Sequence, residues 1–245
     1  MDLARRDPEY LEELAAHHVG GHLKVAPEHT DPEVLNLMKK PSADDYVEFD
    51  KAFKDASRRV GKKQYTVPYF IASHPGSGLE QMIDLAVFLK RNGYKPDQVQ
   101  DFIPSPFDIA ACMYHTGLDP MTREPVTITK GLRDRRTQRA LLQFFKPENY
   151  FEVRRALEQA GRHDLIGSGC DCLIPARPPK EALDRKRSEA TRAFTERTSG
   201  DHLRGGPATG REGTGGSATG KPPKKQGRQR KSVGYRPKRP GQSHQ

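Results

Sequence analysis

Tryptophan is missing from this 245-residue chain, and cysteine is scarce, at three residues: Cys112, Cys170 and Cys172. An odd number of thiols at these spacings offers no disulfide framework, so the expected compartment is a reducing cytoplasm. Long apolar runs are lacking too. No stretch approaches the roughly 18 residues that cross a bilayer, so no membrane partner is expected. Met1-Asp2-Leu3-Ala4-Arg5-Arg6 carries no apolar segment and no cleavage-site pattern, and is not read as a signal peptide.

Acidic and apolar residues both become rare toward the end of the chain. Residues 178–245 hold 17 Lys+Arg against 6 Asp+Glu and only 10 apolar residues, with 11 of the 22 glycines. The remaining 177 residues are close to neutral, so the formal charge of +10 belongs to this tail. A segment so poor in apolar side chains cannot offset its ordering entropy, and disorder is expected from about Pro178, with a short helix allowed over 180–197. The body is long enough for one compact domain with a modest appendage.

What the body does contain is a repeated pattern of short apolar strand, loop and helix. The strands are read at His22–His29, Tyr65–Gly76 and Val99–Pro106. Spacings of about 40 and 35 residues suit β-loop-α units in a parallel sheet, which binds ligands at the carboxyl ends of its strands. Three strands are too few to close a barrel. Helix signals lie between them. Asp7-Pro8 opens one that runs to His18, Thr30 with Glu33 forms a capping box, and Ser42–Asp45 and Ser77 with Glu80 cap two more. Further helical stretches are expected at 109–114, 133–145 and 148–160.

At these strand ends the sequence resembles the YgiQ family of radical SAM proteins. The resemblance is carried by Leu23-Lys24-Val25-Ala26-Pro27-Glu28-His29-Thr30, by Pro68-Tyr69-Phe70-Ile71 with His74-Pro75-Gly76, and by Val99-Gln100-Asp101-Phe102-Ile103-Pro104-Ser105-Pro106. Leu165-Ile166-Gly167-Ser168 and Asp171-Cys172-Leu173-Ile174-Pro175 are similar to that family's C-terminal domain of unknown function. The fold implied is α/β: residues 1–120 as the C-terminal part of a partial (β/α) barrel, 121–177 as a small helical domain, and 178–245 as the basic tail. The cofactors implied are S-adenosylmethionine and a 4Fe-4S cluster held by Cys-x-x-x-Cys-x-x-Cys. No such trio exists here, so the cluster ligands and the N-terminal half of the barrel are expected on a part that this chain lacks. Alone, the chain is expected to be inactive.

The resemblance also implies a site. Glu28 matches the polar strand-end residue that meets the ribose or methionyl portion of the cosubstrate, and a carboxylate can accept both ribose hydroxyls. Backbone at Ile71–Ser73 and Phe102–Pro104 would line the adenine. The loop Ser73-His74-Pro75-Gly76 shares only Pro75-Gly76 with the wider superfamily's Gly-Phe-Pro-Gly-Glu-Thr. The cosubstrate-binding set is thus Glu28, Ile71, Ser73, His74, Pro75, Gly76, Phe102 and Pro104, with no metal ligand and no catalytic residue assigned.

Other features have plainer readings. His17, His18, His22 and His29 look like a metal cluster only until Gly20-Gly21 breaks the helix between them. Cys170 and Cys172 are too few for a metal site. Arg133, Arg135, Arg136 and Arg139 read as solvated helix surface, or as RNA contact. Gly215–Lys221 fits a phosphate-loop pattern, but Pro222 stands where a hydroxyl should hold Mg²⁺ and no strand precedes it. The alternative function is nucleic-acid association through the basic tail (Lys224, Lys225, Arg228, Arg230, Lys231, Arg236, Lys238, Arg239), giving salt-sensitive contact with RNA or DNA phosphates.

Overall fold

The computed structural model describes residue 4 and residues 6–201. Three parallel strands lie in the order β1-β2-β3: β1 at His22–Glu28, β2 at Tyr65–Ala72 and β3 at Gln100–Asp101. The architecture is mixed α/β with a small parallel sheet. β3 is short because Pro104 and Pro106 lack the N–H groups that would extend the ladder. Its last rung is the Phe102 N–H donating to the Ala72 carbonyl at 2.8 Å.

The helices start where local chemistry lets them. Helix α1 (Pro8–Glu13) is capped by Asp7, whose side chain accepts from the Tyr10 N–H, and runs on through a π-helical turn, Leu14–His18. Helix α2 (Pro32–Leu37) starts one residue later than the Thr30 box predicts. Asp31 is the cap, accepting from Val34 N–H at 3.0 Å. Pro32 at the first helical position forces its predecessor into extended backbone, which is the cap conformation. Helix α3 (Ala43–Arg59) starts at the expected Ser42–Asp45 cap, which closes as a reciprocal box. Helix α4 (Leu79–Arg91) is capped at Gly78, not Ser77, because Ser77 N–H already closes a turn onto the His74 carbonyl. Helices α5 (Ile109–Thr116), α6 (Leu132–Leu142) and α7 (Tyr150–Gln159) follow, and α8 spans Lys180–Asp201.

Two apolar cores lie against one face of the sheet. Leu11, Ala15 and Val19 pack with Tyr46, Phe49 and Phe53 of α3 and Val25 of β1. The larger core joins Phe70 and Ala72 of β2 to α4, α6, α7 and the 165–174 segment. Residues 121–177 therefore have no core of their own, and their helices share the one built on β2 and α4. That core also takes Ala182 of α8, so order continues past the composition boundary at Pro178. The described residues as far as Ser199 belong to one compact unit. Residues 202–245, with the tail's basic residues and the Gly215–Lys221 pattern, lie outside the described residues. No helix among the described residues is long and apolar enough to cross a membrane.

Candidate functional site at the strand ends

Alternation assigns the faces of the sheet. Val25, Phe70 and Ala72 point into the helical cores, which leaves Lys24, Tyr69 and Ile71 on the opposite face, where the Lys24 ammonium lies 5.7 Å from the Tyr69 ring. At the carboxyl end of that sheet is an open groove of about 570 Å³, whose lining includes Glu28, Lys40, Ile71, His74, Phe102 and Asp108. Four of the residues read from the sequence, Glu28, Ile71, His74 and Phe102, thus share one groove. Ser73, Pro75, Gly76 and Pro104 do not line it.

Glu28 occupies an unusual piece of backbone. The register slips between Val25 and Glu28, so that three steps of β1 match two of β2, a bulge that re-aims the last side chain of the strand. His29 N–H donates to the Pro27 carbonyl at 2.9 Å, closing a three-residue turn about Glu28, whose φ is 69°. A γ-turn with positive φ is rare and strained, costing about 1–3 kcal/mol, and such strain concentrates at functional sites. One carboxylate oxygen, Oε1, lies 3.4 Å from the Lys40 ammonium, which also donates to the Ala26 carbonyl at 3.0 Å. The other, Oε2, is buried without a partner. An orphaned buried carboxylate oxygen is costly and calls for a donor.

The loop after β2 is built on the same plan. Ser73 has φ 64°, and its hydroxyl is buried and unpartnered. His74 Nδ1 lies 2.8 Å from the Pro75 carbonyl, so it carries the proton and Nε2 is left as an acceptor. Burial pushes the His74 pKa down, and its ring stands edge-on to Phe102 at 5.2 Å. Gly76 (φ 89°) sits against α2, where an added Cβ would come within 2.5 Å of Leu37 Cδ1.

Three residues outside the site read from the sequence hold this geometry. His29 is fully buried, and its pKa is lowered to about 4, chiefly by burial. Its Nδ1 accepts from Asp31 N–H at 3.0 Å, which puts the proton on Nε2, 3.3 Å from Ser77 Oγ. Lys40 neutralises half of Glu28. Gln138 of α6 accepts from Ser73 N–H at 2.7 Å and donates to the Ser77 carbonyl at 2.8 Å. No local pattern marks Gln138, because its partners lie more than 60 residues away in sequence.

His17 and His18 lie in the π-helical turn, while His22 and His29 stand at opposite ends of β1. Cys172 Sγ is 3.5 Å from the Asp164 carbonyl, Cys170 Sγ is 3.8 Å from Asp171, and Cys112 lies on α5. No group of three or more His, Cys, Asp or Glu that could hold a metal ion is found among the described residues. Of the α6 arginines, Arg135 donates to the Phe102 carbonyl at 2.8 Å and Arg139 pairs with Asp101 at 3.2 Å, so two of the four are tied to the strand end.

A family model described as a domain of unknown function, DUF3362, matches residues 97–239. A UPF0313 protein of Rhodopseudomonas palustris is 48% identical over 184 residues, covering 73% of this chain and 27% of that protein. One from Clostridium botulinum is 49% identical over 174 residues, covering 71% of the chain and 27% of the relative. The UPF0313 protein YgiQ of Salmonella typhimurium is 43% identical over 218 residues, 86% of the chain and 30% of the relative. The chain thus spans less than a third of the length of these curated relatives. With the domain model matched over more than half of its residues, the chain belongs to the UPF0313, or YgiQ, family.

Proposed function

We propose that this chain is the cosubstrate-facing portion of a radical SAM enzyme, its three strands forming the later part of a partial (β/α) barrel. The observation that carries the reading is the buried, unpartnered Oε2 of Glu28, a residue at the carboxyl end of a parallel strand that lines a groove of ligand size. S-adenosylmethionine suits that groove. Its ribose hydroxyls or its ammonium would donate to Oε2, while Lys40 restrains Oε1. Ile71 and Phe102 offer apolar walls against a planar base, and His74 Nε2 offers an acceptor for one further donor. When bound at an iron–sulfur cluster, the cosubstrate supplies radical chemistry.

The cluster itself does not fit this chain, because Cys112, Cys170 and Cys172 cannot give three thiolates on one loop. On this reading the thiolates, and the strands that would pair with the outer edge of β1, belong to the part of the relatives that this chain does not span. A reducing cytoplasm suits both the cluster and the free thiols.

The test is calorimetric titration of S-adenosylmethionine into this chain joined to the remaining part of a relative, with Glu28→Gln beside it. Loss of a charge-assisted hydrogen bond is expected to weaken binding by about 1–3 kcal/mol, or roughly 5- to 150-fold, with folding intact. Equal affinity in a folded Glu28→Gln protein removes Glu28 from the site.

A further inference from the structure

The groove is made by strand ends, yet its shape is held from elsewhere. Segment 127–139, inside the matched domain of unknown function, sends a series of hydrogen bonds to the ends of β2 and β3. Gly76 N–H donates to the Thr127 carbonyl at 2.8 Å, and Thr129 Oγ1 donates to the Ser77 carbonyl at 3.1 Å. Gln138 is 3% exposed and uses both ends of its amide, with Oε1 on Ser73 N–H and Nε2 on the Ser77 carbonyl and Thr129 Oγ1. Arg135 and Arg139, an i,i+4 pair on one side of α6, bind the Phe102 carbonyl and Asp101.

Ser77 is where these ties meet. Its N–H closes the turn onto His74, its hydroxyl faces His29 from the end of β1, and its carbonyl takes the two donors from segment 127–139. Ser73, whose positive φ is unfavourable for a residue with a Cβ, is held there by one side-chain acceptor, Gln138 Oε1. His74 is the next residue. A restraint on the Ser73 and Ser77 backbones therefore fixes the direction in which the His74 ring enters the groove.

We propose that Gln138 is the positioning residue of the strand-end groove, and that the domain of unknown function, through segment 127–139, holds loop 73–77 in its ligand-ready conformation. The ligand part of this statement rests on the cosubstrate reading above; the positioning part does not. Gln138 need not touch the ligand. It acts through Ser73 and Ser77 on His74.

The experiment compares wild type with Gln138→Met, which keeps the volume and removes both hydrogen-bonding ends, in the full 245-residue chain. Imidazole ¹⁵N NMR reads the His74 tautomer and its titration, and urea unfolding confirms folded content. Wild type is expected to show a neutral ring with the proton on Nδ1. Gln138→Met is expected to move at least half of the His74 population to the Nε2–H form and to raise its midpoint toward that of an ordinary histidine. A residue that merely contributed stability would lower the unfolding midpoint and leave the His74 signature in the folded fraction unchanged, and that result overturns the proposal. If Gln138→Met does not fold, Thr129→Val decides in the same way, since it removes the hydroxyl that meets both Gln138 Nε2 and the Ser77 carbonyl. S-adenosylhomocysteine titrations of the longer protein separate the two readings. An altered His74 with no binding in wild type leaves Gln138 in place and sinks the cosubstrate, whereas binding that is equal in both proteins leaves the cosubstrate and sinks Gln138.

Discussion

Glu28 and His29 are neighbours with opposite electrostatic fates. Glu28 keeps a cation beside one oxygen, whereas His29 is enclosed, and burial lowers its pKa from 6.5 to about 4. In the unfolded chain the same ring takes a proton near its ordinary pKa. The folded state therefore binds fewer protons between those two values, and stability must fall as the pH drops through them. His29 makes its full contribution above about pH 6.5 and loses it toward pH 4, a change of about 3 kcal/mol. His74 shifts in the same direction. Urea unfolding at pH 7, 5.5 and 4.5 should show this slope, and His29→Asn, which can still accept from Asp31 N–H, should flatten it. A wild-type stability unchanged over that range would mean that His29 is hydrated in solution. The place of Glu28 at the strand-end groove was visible in the sequence through the family resemblance. The bulge and γ-turn that aim it were not, because a register slip is a property of two strands together. Lys40 and Gln138 were hidden for the same reason: each acts on a segment distant in sequence, and neither residue type signals a contact by itself.

At the scale of elements, chain order and type could be read from caps, glycines and apolar periodicity, and the errors lie at the ends. Thr30 and Ser77 each look like caps, but both lie in turns tied to the strand-end loops. Helices α2 and α4 start at the first residue free of those turns. The turn before α4 is also where an element-level test is sharpest. Gly76 and Gly93 both have positive φ, at 89° and 69°, yet an added Cβ meets Leu37 Cδ1 at 2.5 Å in the first case and nothing within 4 Å in the second. Gly93→Ala should cost only the left-handed backbone term, about 1–2 kcal/mol. Gly76→Ala should cost about 1–3 kcal/mol more, because the β2–α4 loop must lift from α2. Chemical denaturation of the two variants checks the difference. Equal losses would show that Leu37 moves aside freely and that the loop is not pinned against α2.

For the whole molecule, composition announced a body and a basic tail, but drew the line at Pro178, short of the residue that α8 adds to the core. A count of apolar residues cannot see that one alanine, Ala182, closes the larger core. Nor could it show that the helices of residues 121–177 depend on β2 and α4 for their burial. That dependence concerns the sequence boundary at residue 97, where the domain match begins. The boundary falls within one cooperative unit: β3 pairs with β2 across it, and Leu141, Leu142, Val153 and Leu157 share a core with Phe70, Met82, Ile83, Leu85 and Leu89 from before it. A fragment of residues 97–201 would leave that apolar surface bare. It should bind a hydrophobic dye and give a collapsed amide NMR spectrum, and should recover dispersion when refolded with residues 1–96. A well-dispersed spectrum from the isolated fragment would show two folding units instead of one. What sequence comparison delimits as a domain here is a unit of inheritance, and the unit of folding is larger; the groove lies across the seam between them, so a half carried alone into another protein would bring neither a stable core nor a complete site.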